Sequence, residues 1–295
     1  MFRIVATLRL PFVLLVPCCV AVGMATALRS SGVLDVGIAA CVMLGAVASH
    51  ISVNAFNEYF DFRSGLDSLT QRTPFSGGSG TLPAHPELAR STLAVAVTAL
   101  LLAGVVGIYL ATLRGASLLP LGLAGLVLVV TYSIWWVRRP VACLLAPGLG
   151  LGTLTIVGTD FAMTGLWSAH ALAASLPVAL VVSNLLLLNQ FPDVDADRQV
   201  GRSNVVIVYG PAIASRVFAC IFVAAYASVG WFVLAAWLPV GSLAVWGSAP
   251  LAWLAVRGAR AYVGDSGDLL MAMKLNVATS LLTPTLLAAG IATSP

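Results

Sequence analysis

Long stretches without a charged side chain constrain the fold of this chain more than any other feature. The longest, residues 217–256, runs for 40 residues without Asp, Glu, Lys or Arg. About 20 consecutive apolar residues are enough for a helix to cross a lipid bilayer, and Pro239 with Gly241 marks a turn that divides this stretch into two such helices. Because 60% of the 295 residues are hydrophobic and the mean hydropathy is +1.00, lipid must be the solvent for most of the chain.

The sequence therefore predicts an all-α integral membrane protein, with a single domain over residues 1–295 that forms a bundle of about nine transmembrane helices. Unbroken apolar runs favour helices over a β-barrel, whose strands would alternate polar and apolar residues. The predicted helices cover residues 10–28, 36–58, 90–112, 115–137, 140–159, 171–192, 212–236, 241–257 and 271–292.

Lys and Arg side chains collect on one side of this predicted bundle. With nine crossings, thirteen of the fifteen fall at the N-terminus or after even-numbered helices, and only Arg29 and Arg114 fall opposite. The positive-inside rule then predicts that these loops and the N-terminus are cytoplasmic, in the plasma (inner) membrane. The net charge of +4 is explained by this topology, and no nucleic-acid partner is indicated. As an alternative, the stretch up to Ala27 has the pattern of a cleaved signal peptide, which would leave eight helices.

Two short segments concentrate charge at predicted helix ends. Residues 57–80 and 189–202 together hold ten of the 26 charged side chains. Both segments open with an Asn followed four residues later by an Asp, a spacing that places two side chains on one face of a helix. The plain alternative is that helix ends and loops are simply polar. The Asn and Asp residues in these rows are Asn57, Asp61, Asp67, Asn189, Asp193 and Asp197.

A divalent cation explains why carboxylates collect at the C-terminal ends of helices. That end of a helix carries about half a negative charge, so acids there need a compensating cation. Oxygen ligands without nearby His or Cys suit Mg²⁺, which readily shares its coordination shell with phosphate oxygens. Guanidinium groups and the backbone of a glycine-rich run also bind phosphate, so the sequence predicts a Mg²⁺–diphosphate site at a membrane surface. The predicted metal ligands are Asn57, Asp61, Asp193 and Asp197, and the accompanying groups are Arg63, Arg72, Arg202 and Gly77–Gly80.

These segments resemble the two aspartate-rich motifs of the UbiA superfamily of intramembrane prenyltransferases. The stretches that match are NEYFDFRSGLD at residues 57–67 and NQFPDVDADRQVGR at residues 189–202. LRLPFVLLVP at residues 8–17 resembles the first helix of the family. YSIWWVRRP at residues 132–140 resembles its Tyr-Ser-x-Pro-Pro-x-Lys/Arg element, with Trp135-Trp136 in place of the proline pair.

The resemblance implies that a polyprenyl diphosphate binds between the two motifs with Mg²⁺ and that its prenyl group passes to an aromatic acceptor. Aromatic side chains are implied to stabilise the allylic cation, for which we consider Phe56, Phe60, Tyr132, Trp135, Trp136 and Phe191. The implied catalytic residues are Asp61, Asp67, Asp193 and Asp197. The implied substrate-binding residues are Arg9, Asn57, Arg63, Arg72, Tyr132, Arg138, Asn189 and Arg202.

The acceptor and some accessory residues are left open by the sequence. The spacing Gly65-x-Asp67 most resembles the branch that prenylates 1,4-dihydroxy-2-naphthoate and related quinone precursors. Other acceptors in the family are 4-hydroxybenzoate, haem, chlorophyllide and glycerol lipids, and some members cyclise terpenes. A transporter coupled to an ion gradient is the alternative from another class. His50 and His85 are either acid–base groups or structural, and Asp265, Asp268, Lys274 and Asn276 either close over the site or form an ordinary loop.

Overall fold

The structure, a computed structural model, describes residues 6–8, 10–264 and 268–294. Within these ranges the chain is helical and contains no β-strand. We label its longer helices α1 to α9 in chain order. They are α1 Leu15–Ser31, α2 Val36–Ser64, α3 Ala89–Arg114, α4 Leu118–Thr131, α5 Pro140–Thr164, α6 Ala169–Asn189, α7 Val205–Leu234, α8 Ala249–Val263 and α9 Leu269–Thr293.

Six helices of the described residues are long and apolar enough to cross a membrane, namely α2, α3 with its preceding turn, α5, α6, α7 and α9. The chain is therefore a multi-pass integral membrane protein, as the sequence predicts. The apolar helices α1 and α4 are shorter, with 17 and 14 residues. The number of nine crossings stays a prediction.

Small residues let the helices of the bundle approach closely. The middle of α5, Gly148–Leu154, is π-helical and lies against α6. A Cβ atom on Gly152 would lie only 2.5 Å from the Cα atom of Ala179 in α6, so this contact requires glycine. Inside a membrane such close packing replaces the hydrophobic effect as the force that holds helices together.

The end of α2 differs from the sequence prediction in a way that matters for the site. The helix continues to Ser64 instead of ending at residue 58, and Gly65 ends it with a left-handed φ of 79°. Asp61 therefore lies on the same helix as Asn57, as their four-residue spacing predicts, and Arg63 lies on this helix too. The short helix Leu66–Leu69 follows directly.

The prediction that Asn189 and Asp193 share one face of a helix is wrong. The helix ends at Asn189, and a new short helix, Val194–Gln199, begins after Asp193. Pro192 has no backbone N–H to donate within a helix, which explains why the chain breaks before it. Asn189 and Asp193 consequently do not share one continuous helical face, whereas Asp197 lies one turn after Asp193 and its N–H donates to the Asp193 carbonyl at 2.8 Å.

Other helix ends also differ from the prediction. α4 ends at Thr131 instead of residue 137, and a short 3-10 helix, Trp136–Arg138, lies between α4 and α5. α7 begins at Val205 and bends at Gly210, whose φ of 81° and ψ of 161° are not helical.

Candidate active site

A cavity of about 1000 Å³ collects side chains from both charged segments. Its interior continues between α2, α3, α4 and α5, where its walls are mostly apolar. Along α2 the lining residues run from Val42 to Asp61, and 19 helical steps correspond to about 28 Å. The cavity thus joins a polar end to an apolar interior that follows most of the length of a transmembrane helix. Its polar end is lined by Asn57, Asp61, Asp67, Gly77, Gly78, Tyr132, Asn189, Asp193, Asp197, Arg202 and Asn204.

Arg202 connects the two charged segments. Its Nη2 atom donates to Oδ1 of Asp61 on α2, and its Nη1 atom donates to Oδ1 of Asp197 at 3.2 Å. Burial acts to lower the pKa of Arg202, but the facing carboxylates of Asp61 and Asp197 raise it above its ordinary value. The guanidinium therefore stays charged and holds both acidic motifs at one place.

Asp197 is held by two side chains, Arg202 and Asn204. Its second oxygen, Oδ2, accepts from Nδ2 of Asn204 at 3.1 Å, and Asn204 also caps the start of α7. Burial raises the pKa of the Asp197 carboxyl, and the Arg202 guanidinium opposes that rise. Asp195 points elsewhere, with its side chain 92% exposed beside Arg198 at 3.6 Å.

The polar end of the cavity has the ligand chemistry that Mg²⁺ requires. Its side-chain donors are carboxylate and amide oxygens, which are the groups that bind this ion. The Oδ1 atom of Asn189 is buried and has no hydrogen-bond partner among the described residues, so it is available as a ligand. Oδ1 of Asn57 accepts from Oγ of Ser133 at 3.1 Å. In the part of the chain described, no group of three or more His, Cys, Asp or Glu is gathered for a metal, so the ion would complete its shell with water or diphosphate.

The glycine-rich loop is attached to α2 by Glu58. This side chain is fully buried and accepts hydrogen bonds from the backbone N and the Oγ of Ser79 at 2.8 and 2.7 Å. Gly77 and Gly78 have left-handed φ angles of 79° and 72° and line the cavity. A Cβ on Gly78 would lie 2.6 Å from Oδ1 of Asp67, so only glycine lets the loop lie against this carboxylate.

Three of the predicted phosphate-binding arginines do not line the cavity. Arg63, Arg72 and Arg138 are exposed, and the Arg72 guanidinium lies where a side chain on Gly80 would be. Arg9 lies outside the described residues. Diphosphate binding by these four arginines stays a prediction.

Of the six aromatic residues considered for stabilising a cation, Tyr132 alone lines the cavity. Phe56 and Phe60 stack on each other, and Phe191 packs edge-on against Tyr262. The indole N–H of Trp136 donates to Thr131, and the ring of Trp135 lies 4.3 Å from the Arg139 guanidinium carbon. Phe12 and Phe75, which were not among the six, also line the cavity.

The residues considered at the start of α9 and just before it do not line the cavity where they are described. Asp268 caps the helix, Lys274 is exposed, and buried Asn276 donates to the Asn184 carbonyl at 3.0 Å. Asp265 lies outside the described residues.

Some residues of the site were missed by the sequence argument. Asn204 carried a readable signal, because an Asn directly before an apolar run is typical of a helix N-cap. Ser133 carried none, since its partner Asn57 is 76 residues away.

Paired acidic motifs at one end of a mostly apolar cavity in a helical membrane protein are the architecture expected of an intramembrane enzyme. The model of the UbiA prenyltransferase family matches residues 14–278, and the chain belongs to this family. It is a prenyltransferase, which confirms the first of the two classes considered from the sequence.

Known relatives agree with this assignment. The chain is 25% identical over 249 residues to a 1,4-dihydroxy-2-naphthoate octaprenyltransferase of Bacillus subtilis (strain 168), covering 82% of this chain and 76% of the relative. The fold is similar to the apo structure of a UbiA homologue from Aeropyrum pernix K1, with a TM-score of 0.69, 22% identity and coverage of 97% and 96%. It is also similar to a UbiA homologue from Archaeoglobus fulgidus bound to GPP and Mg²⁺, with a TM-score of 0.68, 13% identity and coverage of 97% and 99%.

Proposed function

We propose that the protein transfers a polyprenyl group from an isoprenyl diphosphate to an aromatic acceptor, a naphthoate or related quinone precursor, with Mg²⁺ as its cofactor. The observation that carries this proposal is the single cavity in which Asp61, Asp197 and Arg202 adjoin a long apolar interior. The polar end suits a diphosphate and the apolar interior suits an isoprenoid chain. The homologue bound to GPP and Mg²⁺ supports the donor, and the naphthoate prenyltransferase relative supports the acceptor.

The residues that would hold Mg²⁺ are Asn57, Asp61, Asp193 and Asp197, with Asn189 and Asp67 beside them on the cavity wall. When bound, the ion supplies positive charge that compensates the negative charge growing on the diphosphate as it leaves. Arg202 adds a fixed guanidinium beside the same carboxylates. Its N–H groups can bind the leaving oxygens, and they are already oriented before the reaction begins.

The apolar part of the cavity acts on the other half of the substrate. As the bond between the prenyl carbon and the diphosphate oxygen breaks, an allylic cation forms that water would destroy. Walls of Leu, Val and Gly exclude water from this cation. Tyr132 lies on the cavity wall, where its ring face can stabilise positive charge. The acceptor carbon then forms the new bond to the prenyl carbon, and the proton that it carried passes to the released diphosphate.

Purified protein incubated with Mg²⁺, isoprenyl diphosphates and a panel of aromatic acceptors tests this proposal. We expect diphosphate release that EDTA abolishes, together with a prenylated naphthoate detected by mass spectrometry. Asp61→Asn should remove both signals, whereas Glu87→Gln, an exposed acid outside the cavity, should remove neither.

The outcomes separate the parts of the proposal. No diphosphate release under any condition would contradict prenyl transfer and would be expected of an ion-coupled transporter. Release with a prenylated 4-hydroxybenzoate and no naphthoate product would contradict only the acceptor. Release without any acceptor, with a cyclic terpene as product, would contradict transfer to an aromatic ring.

A further inference from the structure

One polar side chain in the apolar part of the cavity is not explained by diphosphate binding. His50 lies on α2, seven residues before Asn57, which places it about 10 Å further from the charged end along the helix axis. The steps from Asp61 to Asn57, Asn54 and His50 are four, three and four residues. These steps keep all four side chains on one helical face, and all four line the cavity.

The environment of His50 sets it apart from the other polar residues at this depth. Ser49, Thr155 and Thr159 also line the cavity, but each hydroxyl donates to a carbonyl of its own helix, at 2.9, 3.0 and 2.7 Å. The His50 side chain is only 8% exposed, and its Nε2 atom is buried without a hydrogen-bond partner among the described residues. A buried polar atom left in this state costs free energy, so a ligand that supplies a partner gains binding energy here.

The two other histidines of the chain do not share this state. His85 lies 3.2 Å from Glu87, and Nδ1 of His170 lies 2.7 Å from the Trp237 carbonyl oxygen. Neither lines the cavity. Among the histidines described, a buried Nε2 atom without a hydrogen-bond partner is therefore found only at His50, on the cavity wall.

We infer that His50 binds the aromatic acceptor by a hydrogen bond to one of its ring hydroxyl groups, an inference that rests on the proposed function. An isoprenoid chain has no group that can bond to an imidazole, whereas a hydroxylated aromatic ring can either donate to it or accept from it. The offset between His50 and Asn57 leaves room for a ring system between the imidazole and the diphosphate end. His50 would thus select a polar acceptor inside an otherwise apolar cavity and hold it toward the prenyl carbon.

Paired kinetic and binding measurements on His50 variants test this inference. His50→Leu removes the hydrogen bond, and His50→Gln keeps a donor and an acceptor. We expect His50→Leu to raise the apparent KM for 1,4-dihydroxy-2-naphthoate about tenfold and to leave that for geranyl diphosphate within about twofold. His50→Gln should recover most of the loss. His85→Leu and His85→Gln are the matched controls and should change neither constant.

Direct binding separates a failure of this inference from a failure of the proposed function. Naphthoate is titrated against the protein without geranyl diphosphate, and a weaker affinity in His50→Leu than in wild type is expected even if no product forms. Equal affinities, no binding to wild type, or a raised KM for geranyl diphosphate alone would overturn the inference. Gel filtration verifies folding, and His50→Met replaces His50→Leu if the latter does not fold. Absence of Mg²⁺-dependent diphosphate release would instead contradict the proposed function.

Discussion

At the scale of single residues, Arg202 joins parts of the chain that are far apart in sequence. Its guanidinium lies between carboxylates 141 and 5 residues away, and its side chain is 19% exposed. Without this cation, Asp61 and Asp197 would face each other as two buried like charges. Removing one member of a buried ion pair is strongly destabilising because the remaining charge loses its compensation.

Arg202→Met should therefore lower the free energy of unfolding by about 3 kcal/mol in protein free of divalent cations. Millimolar Mg²⁺ should raise the melting temperature of this variant more than that of wild type, since the ion then compensates the two carboxylates. Thermal unfolding in detergent with EDTA or Mg²⁺ measures both effects. Arg198→Met is the matched control: among the described residues, the ion pair of Arg198 is with exposed Asp195 at 3.6 Å, and such surface pairs contribute about 0–1 kcal/mol. Equal melting temperatures for the two variants would contradict the central position of Arg202.

The three acids of the segment DVDAD should differ in their effect on turnover. Asp193 and Asp197 line the cavity, whereas the side chain of Asp195 is 92% exposed. Asp193→Asn and Asp197→Asn should each nearly abolish turnover, because a neutral amide is a poor ligand for Mg²⁺ beside a diphosphate. Asp195→Asn should keep most activity. The rate of diphosphate release at saturating Mg²⁺ is measured for each variant. Equal losses of activity in all three variants would contradict the assignment of Asp193 and Asp197, but not Asp195, to the cavity wall.

At the scale of elements, the glycine-rich loop and α2 form one unit through Glu58. The carboxylate lies inside the protein and accepts two hydrogen bonds from Ser79, so it fixes the loop in place beside Asp67. The loop must adopt left-handed conformations at Gly77, Gly78 and Gly80, which favours glycine but provides little stiffness of its own. Its order therefore depends on Glu58.

Glu58→Ala should free this loop and expose the chain after Arg72 to trypsin. We expect cleavage at Arg72 at least several-fold faster than in wild type, with partial protection by geranyl diphosphate and Mg²⁺. Mass analysis of the fragments over time locates the cut. Glu87→Ala is the matched control, because Glu87 is 68% exposed and contacts only the nearby His85 among the ion pairs described. Unchanged cleavage at Arg72 in Glu58→Ala would show that the loop is held by other contacts.

The helical segments and the two acidic motifs could be predicted from the sequence, because hydropathy and charge spacing indicate them directly. Apolar runs located the helical segments, and the repeated Asn-x-x-x-Asp spacing located both acidic motifs. Helix ends were less predictable, because a buried acid looks like a loop residue until its partner is known. Glu58 and Asp61 were assigned to a helix exit for this reason, yet Ser79 and Arg202 compensate them and α2 continues to Ser64.

The sequence could not show which arginines line the cavity and which are exposed, for a related reason. Arg63, Arg72, Arg138 and Arg202 all follow an acidic or aromatic motif, and each can bind phosphate in principle. Only tertiary packing shows that Arg202 lies on the cavity wall and that the other three are exposed. Long side chains at loop positions have no periodicity that predicts their direction.

At the scale of the whole molecule, the polar end of the cavity coincides with the end of the bundle that carries most of the charge. α2 ends there and α7 begins there, and the loops are joined where the Ser203 N–H donates to the Val137 carbonyl at 2.9 Å. The two arginines predicted for the opposite side make contacts of their own. Arg29 donates to the Ser294 carbonyl at 3.0 Å, and Arg114 lies 3.8 Å from Asp35. The count of thirteen to two in Lys and Arg assumes nine crossings and includes Arg3 and Arg9, which lie outside the described residues, so this asymmetry stays a prediction.

This asymmetry predicts that the polar end of the cavity faces the cytoplasm. Single cysteines test it in a background in which the free cysteines Cys18, Cys19, Cys41, Cys143 and Cys220 are replaced. Ser68→Cys and Ser203→Cys lie at the polar end, and Ser31→Cys lies at the opposite end, where Ser31 is exposed. A thiol reagent that cannot cross membranes should label Ser31→Cys in intact cells, and the other two only after permeabilisation. Labelling of Ser68→Cys and Ser203→Cys in intact cells would reverse the orientation and place the polar end of the cavity on the outer side of the membrane.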